Sequence, residues 1–190
     1  MLFNSYAFLL FFLPATWCLY YISNHLKKYQ LAQCVLLIAS FIFYGYEDYH
    51  LCFVLLVTIL INYFFHYLFL ERLKRKLIRN ILLVVGICIN LGLLFYFKYF
   101  NFLLDNLNRF VGTDFVMKNI VMPLGISFFT FQQLSFLVDS YRGNMQRYGF
   151  LEYALFVSFF PQLVAGPIVL HQEMIPQFKD VSKKRINYEN

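Results

Sequence analysis

The sequence predicts an all-α integral membrane protein of about five transmembrane helices, with one interfacial helix and one re-entrant segment broken by proline and glycine. Three observations predict it. Of 190 residues, 61% are hydrophobic and only 14% charged, against about 25% charged in a soluble domain. The apolar runs approach or reach the roughly 20 residues that cross a bilayer. The charges gather in short loops between those runs, while 25 Phe and 15 Tyr suit lipid contact and interfacial belts.

Residues 2–22 form the first run. No basic region precedes it and no small-residue cleavage site follows, so it reads as a retained span, not a signal peptide. Asn4 and Ser5 are candidate caps, and Pro14 is placed to bend it. A polar loop with Lys27 and Lys28 leads to a short second run, 31–46. Glu47 and Asp48 make an acidic loop before the third run, 51–70. Residues 71–80 carry five basic side chains, Arg72, Lys74, Arg75, Lys76 and Arg79, and 81–97 is the fourth run. Lys and Arg number two, zero and five in the three loops. Basic loops stay cytoplasmic, so the N-terminus is expected outside.

Residues 98–121 interleave Asn101, Asp105, Asn106, Asn108 and Arg109 with Phe and Leu, the pattern of an interfacial amphipathic helix. Gly112 and its two followers end it. Residues 122–138 form a fifth crossing. The next apolar stretch, 150–169, is followed by Lys179, Lys183, Lys184 and Arg185. A cytoplasmic tail requires that stretch to enter the membrane and turn back near Pro161 to Pro167. The expected organisation is a membrane portion, 1–178, followed by a polar cytoplasmic segment, 179–190.

Three blocks stand out: PLGISFFTFQ (123–132), DSYRG (139–143) and SFFPQLVAGPI (158–168). Pro123, Gly125, Pro161, Gly166 and Pro167 interrupt apolar sequence, and Gln132, Gln133 and Gln162 sit inside it. Proline removes a backbone donor. In hydrocarbon, freed backbone groups are tolerated only where protein or a water-filled cavity surrounds them. The region therefore reads as broken helices packed inside the protein beside a cavity.

These blocks, with MLFNSYAFLLFFLP at the start, FYGY (43–46) and NLGLLFYFKYFNF (90–102), resemble the membrane-bound O-acyltransferases. The likeness is greatest to the alginate O-acetyltransferase branch and runs through nearly the whole chain in order. The resemblance implies a multi-helix bacterial inner-membrane enzyme with a tunnel and a histidine near its middle. It implies a cytoplasmic acyl thioester (acetyl-CoA or an acyl carrier) as donor, no bound cofactor, and an extracytoplasmic acetyltransferase partner. That histidine lies in the family's C-terminal half, after a tryptophan. Here the sole tryptophan is Trp17, so the catalytic histidine is expected beyond Asn190. The chain reads as the N-terminal portion of such an enzyme, inactive on its own.

The candidate tunnel residues are Ser127, Gln132, Gln133, Pro161, Gln162, Gly166 and Pro167. Ser127, Thr130, Gln132, Gln133 and Ser135 share one predicted helix and point all around it at about 100° per residue. Interhelical hydrogen bonding and a tunnel wall are both open to them. Asp139 and Arg142, three apart, face each other on a helix. They either fix the turn at Gly143 or present Arg142 to a phosphate-bearing donor. Thr58, Asn62 and His66 recur every four residues and share a face. His171 precedes Glu173, a base and its orienter in a catalytic reading. The remaining histidines, His25 and His50, have no metal-ligand spacing.

Four scattered cysteines give no disulfide framework or zinc pattern. The net charge of +6 lies in membrane loops, and no nucleic-acid module accompanies it. A transporter would show midplane ion pairs and an inverted repeat, and neither is visible. A non-catalytic membrane scaffold is the other alternative.

Overall fold

The computed structural model describes residues 3–46, 48–72, 75–112, 115–143, 145–166 and 169–180, and among them there is no strand. Ser5 Oγ accepts from Phe8 N–H at 3.2 Å and opens the first helix. This helix is π-helical over Ala7–Phe12 and α-helical over Leu13–His25 (α1). The wider turn ends two residues before Pro14, whose ring cannot donate to the turn before it. Lys27, at φ 56, turns the chain into α2 (Tyr29–Gly45). Asp48 caps α3 (Tyr49–Tyr67) by accepting from His50 N–H at 2.8 Å.

Helix α4 (Lys76–Leu94) runs through a π-helical turn, Phe95–Tyr99, into α5 (Phe100–Val111), making one 36-residue helix. At 1.5 Å per residue it is about 54 Å long. Even tilted by about 40° it spans roughly 41 Å, more than the ~30 Å of hydrocarbon. The predicted interfacial helix is thus the end of a longer one. Gly112, at φ 70, stops it, and residues 115–122 return along it without helix.

Two asparagines hold that return. Asn101 Nδ2 donates to the Lys118 carbonyl at 2.7 Å and its Oδ1 accepts from Lys118 N–H at 3.1 Å. Asn108 does the same with Phe115, both bonds at 2.9 Å. Seven helical residues rise about 10.5 Å, and three extended residues cover about 9.9 Å. The two spacings match.

Gly125, at φ 69, starts α6 (Ile126–Arg142), and Gly143, at φ 75, ends it. Both positions need the left-handed backbone that glycine takes without penalty. Helices α7 (Phe150–Ser158), α8 (Phe160–Ala165) and α9 (His171–Lys179) follow. Six consecutive residues of α7, from Tyr153 to Ser158, are buried, so protein surrounds this helix. It packs among α2, α3, α6 and α9.

The 150–169 stretch is broken as its prolines and glycine predict, but the break falls at Phe159, where ψ is 103°. Pro161 then occupies the first turn of α8, where its missing donor costs nothing. The chain also comes back. Lys179 Nζ lies 3.1 Å from Glu152 Oε2, and Gln33 Nε2, at the start of α2, donates to the Phe178 carbonyl at 2.9 Å. The path that leaves at Glu152 is therefore beside it again 27 residues later. Of the 179–190 segment, only Lys179 and Asp180 are among the described residues.

Among the described residues, three helices are long and apolar enough to cross a membrane: Ala7–His25, Tyr49–Leu70 and Lys76–Val111. The other two predicted crossings, α2 and α6, have 17 residues each. Exposed apolar side chains such as Leu10, Trp17, Ile38, Phe64, Ile81 and Val84 cover the outside of this bundle. Arg79 ties one end together. Its guanidinium donates to the carbonyls of Phe69 (3.1 Å) and Tyr141 and lies over both rings, satisfying orphan carbonyls at two helix C-termini.

Candidate functional site

One set of buried polar groups in the bundle interior links three helices. Thr58, Asn62 and His66 lie on the buried face of α3, as their spacing predicts. Asn62 Nδ2 donates to Gln133 Oε1 (2.6 Å) on α6 and to Asn90 Oδ1 (3.1 Å) on α4. Asn90 Nδ2 returns a bond to Asn62 Oδ1 at 2.8 Å and another to the Gly86 carbonyl at 2.8 Å. Gln133 Nε2 closes the set on Thr58 Oγ1 at 3.1 Å. Each member is at most 3% exposed. The set joins α3, α4 and α6, and such bonds are expected between helices in lipid.

One turn further along α3, His66 Nδ1 lies 2.8 Å from Ser140 Oγ. Ser140 donates its own proton to the Phe136 carbonyl at 2.7 Å. The adjacent residue, Asp139, holds the other buried histidine. Its Oδ2 accepts from His171 Nε2 at 3.0 Å, and His171 is fully buried while the Asp139 side chain is 25% exposed. Phe136, Tyr148 and Phe156 surround the imidazole, their rings nearly perpendicular or steeply inclined to it. Nδ1 of His171 has no partner among the described residues. Burial, with Glu152 adding to it, pushes the Tyr148 hydroxyl upward from its usual range.

This geometry departs from two sequence expectations. Asp139 pairs with His171, 32 residues away, and not with Arg142, which is exposed. The orienting carboxylate of His171 is Asp139, while Glu173 is exposed. Asp139→Ala is expected to lower the unfolding free energy by about 1–3 kcal/mol, because a buried Nε2–H loses its acceptor. Asp139→Asn keeps an acceptor and is expected to cost less. Thermal unfolding in detergent compares the two, and equal losses would count against the bond.

The other expected site residues divide among three places. Gln132 is buried on α6 and its Oε1 has no partner among the described residues. Ser127 lies in the first turn of α6, where it accepts from Lys98 Nζ at 3.0 Å. Exposed Pro161 and buried Gln162 begin α8, and Gly166 ends it, its N–H donating to the Gln162 carbonyl at 3.0 Å. A Cβ on Gly166 would stand 3.0 Å from Gln162 Cα and carbonyl oxygen, so only glycine fits without a shift. Pro167 lies outside the described residues. A cleft of about 180 Å³ opens elsewhere, between Tyr44, Asp48, Leu51, Val121, Met122 and Leu124.

Residues 101–190 match the profile of the membrane-bound O-acyltransferase family. Over the whole chain the sequence is 36% identical to a peptidoglycan O-acetyltransferase of Helicobacter pylori. The second half of the chain is thus similar to the membrane-bound O-acyltransferase family. Over 94% of its length it is 34% identical to a probable alginate O-acetylase of Pseudomonas aeruginosa, and over 95% it is 32% identical to one of Pseudomonas putida. The chain spans 41%, 34% and 37% of the length of these three proteins, respectively. No solved structure matches it.

Asn90 and Lys98 were not among the candidates read from the sequence. Asn90 is one polar residue in an apolar run, which is itself a signal in a membrane helix. Lys98 interrupts the aromatic string 95–100 and carried the same signal.

Proposed function

We propose that this chain forms the N-terminal portion of a membrane O-acetyltransferase. It helps move an acetyl group from a cytoplasmic thioester across the bacterial inner membrane to hydroxyls of a cell-envelope polysaccharide, such as alginate or peptidoglycan. The observation that carries the reading is the match of 94–100% of the chain to proteins named for O-acetylation of such polymers. The buried polar interior, a returning α7–α9 element and a glycine-dependent elbow at Gly166 suit a passage lined by protein. In this reading Ser127, Gln132, Gln133, Gln162 and the Pro161–Pro167 elbow line the acyl path. The basic end near Arg75, Arg79 and Arg142 faces the cytoplasm, and a general-base histidine comes from the rest of the domain. An extracytoplasmic acetyltransferase completes delivery to the polymer.

The test is envelope-bound acetate released by mild base from cells that lack the gene. Complementation with a gene encoding the whole domain is expected to restore the acetate, and these 190 residues alone are not. Acetate unchanged by deletion would overturn the function, and restoration by the chain alone would overturn its dependence on a further portion.

A further inference from the structure

The cleft of about 180 Å³ has apolar walls, Leu51, Val121, Met122 and Leu124, and two polar groups, Tyr44 and Asp48. Tyr44 belongs to the FYGY block, 43–46, which the acyl path does not use. It is 6% exposed, and its hydroxyl has no partner among the described residues. Buried hydroxyls are ordinarily hydrogen-bonded, and the cleft is the space beside Tyr44 from which a partner can come. Asp48 is half-buried. Its Oδ1 accepts from His50 N–H at 2.8 Å. Among the described residues no cation pairs with it and nothing donates to its Oδ2. Val121 and Met122 are exposed, so the cleft opens outward on their side. It lies where α2 ends and where α3 and α6 begin. Arg79 joins the opposite ends of α3 and α6, through Phe69 and Tyr141. The cleft is therefore at the far end of the bundle from Arg79, the extracytoplasmic end in the reading above.

Apolar walls with a few convergent polar groups are the usual make-up of a small-ligand site. A cavity of about 150 Å³ takes benzene, so this one takes a six-membered ring. A carboxylate only accepts, whereas a phenol donates and accepts. The ligand must therefore bring a donor to Asp48 and an acceptor for the Tyr44 proton. A bare ammonium group accepts nothing. A sugar hydroxyl does both, and the C–H faces of its ring suit Leu51, Met122 and Leu124. A ring carrying a carboxylate would set a second negative charge beside half-buried Asp48, and like charges there repel. We propose that this cleft binds one neutral sugar ring of the envelope polysaccharide, and that Asp48 turns uronic acids away. The role rests on the polysaccharide reading above and narrows it to neutral glycans over polyuronates such as alginate. The cleft makes and breaks no bond. It keeps the polymer beside the outer end of the bundle, where the acetyl group emerges for delivery.

The test is a ligand-observed NMR titration of the full chain in bilayer nanodiscs. The probes are tetramers of N-acetylglucosamine (neutral), mannuronate (anionic) and glucosamine (cationic). The neutral tetramer is expected to bind about tenfold more tightly than either charged one. Tyr44→Phe removes one oxygen and keeps the ring. It is expected to weaken the neutral tetramer about 3–10-fold, the net worth of one hydrogen bond. Leu51→Trp fills the cleft and abolishes binding. Asp48→Asn keeps a side chain that caps α3 and removes the charge, so mannuronate is expected to gain about tenfold. Elution and melting matching the unaltered chain certify each variant's fold. No binding of the neutral tetramer, a preference for a charged one, or undiminished binding in a folded Leu51→Trp would overturn the proposal. Should Leu51→Trp not fold, unchanged affinities in Tyr44→Phe and Asp48→Asn overturn it equally. Binding is read without acetyl transfer. Neutral-glycan binding by a protein whose deletion leaves envelope acetate unchanged would thus sink the acetylation reading and leave the cleft standing.

Discussion

Asn62→Leu is expected to cost about 2–4 kcal/mol of stability. Leucine fills a similar volume and adds apolar surface, so packing alone predicts a small change. The loss comes from the partners left behind. Asn90 Oδ1 and Gln133 Oε1 both accept from Asn62 Nδ2, and both residues are nearly fully buried. A buried acceptor without a donor costs about 1–3 kcal/mol. Pairwise couplings between membrane helices average only about 0.6 kcal/mol, but a coupling is the net worth of a bond, not the penalty of orphaning its partners. The orphaning term is the larger and decides the sign. Removing the whole set should therefore hurt less than removing one member. The triple variant Asn62→Leu, Asn90→Leu, Gln133→Met is expected to recover most of the loss. Unfolding in mixed micelles measures both. A triple variant that sums its three single losses would show that the amides act independently.

The polar face on α3 was legible because period four on a helix needs no partner to be seen. Thr58, Asn62 and His66 share a buried face for that reason alone. What they touch was not legible. Gln133 and Asn90 lie 71 and 28 residues away from Asn62, and a sequence gives no register between helices. The Asp139–Arg142 expectation failed on the same ground. Spacing of three allows a local pair, but the fully buried His171 had a stronger need for a carboxylate than an exposed Arg142 in water. Proline and glycine were better guides. Gly112, Gly125 and Gly143 all stop or start a helix with positive φ. The 150–169 break was readable too. Its position was not, because Pro161 is favourable at a helix start and pushes the bend onto the residues before it.

Gly86→Val is expected to be the most damaging single change on α4. Helices α4 and α6 pack directly on one another. An ideal Cβ at Gly86 would lie 2.7 Å from Leu137 Cδ2 and 3.5 Å from Phe65 Cδ2. Leu137 is fully buried and cannot swing into solvent, so α4 and α6 must move apart. Forcing extra atoms into a packed core costs about 1–3 kcal/mol. Here the displacement also stretches the Asn62–Asn90–Gln133 bonds, which cross the same interface. The combined loss is expected at the top of that range or above it. Gly86→Ala should cost less, since it adds one carbon at this contact where valine adds three. Leu137→Ala opens a cavity and is destabilising alone, yet it clears the atom that the new Cβ strikes. Gly86→Ala with Leu137→Ala should therefore be more stable than the sum of the two single losses predicts. Thermal unfolding of the four chains completes the cycle. Strict additivity would mean that Leu137 does not limit what fits at position 86.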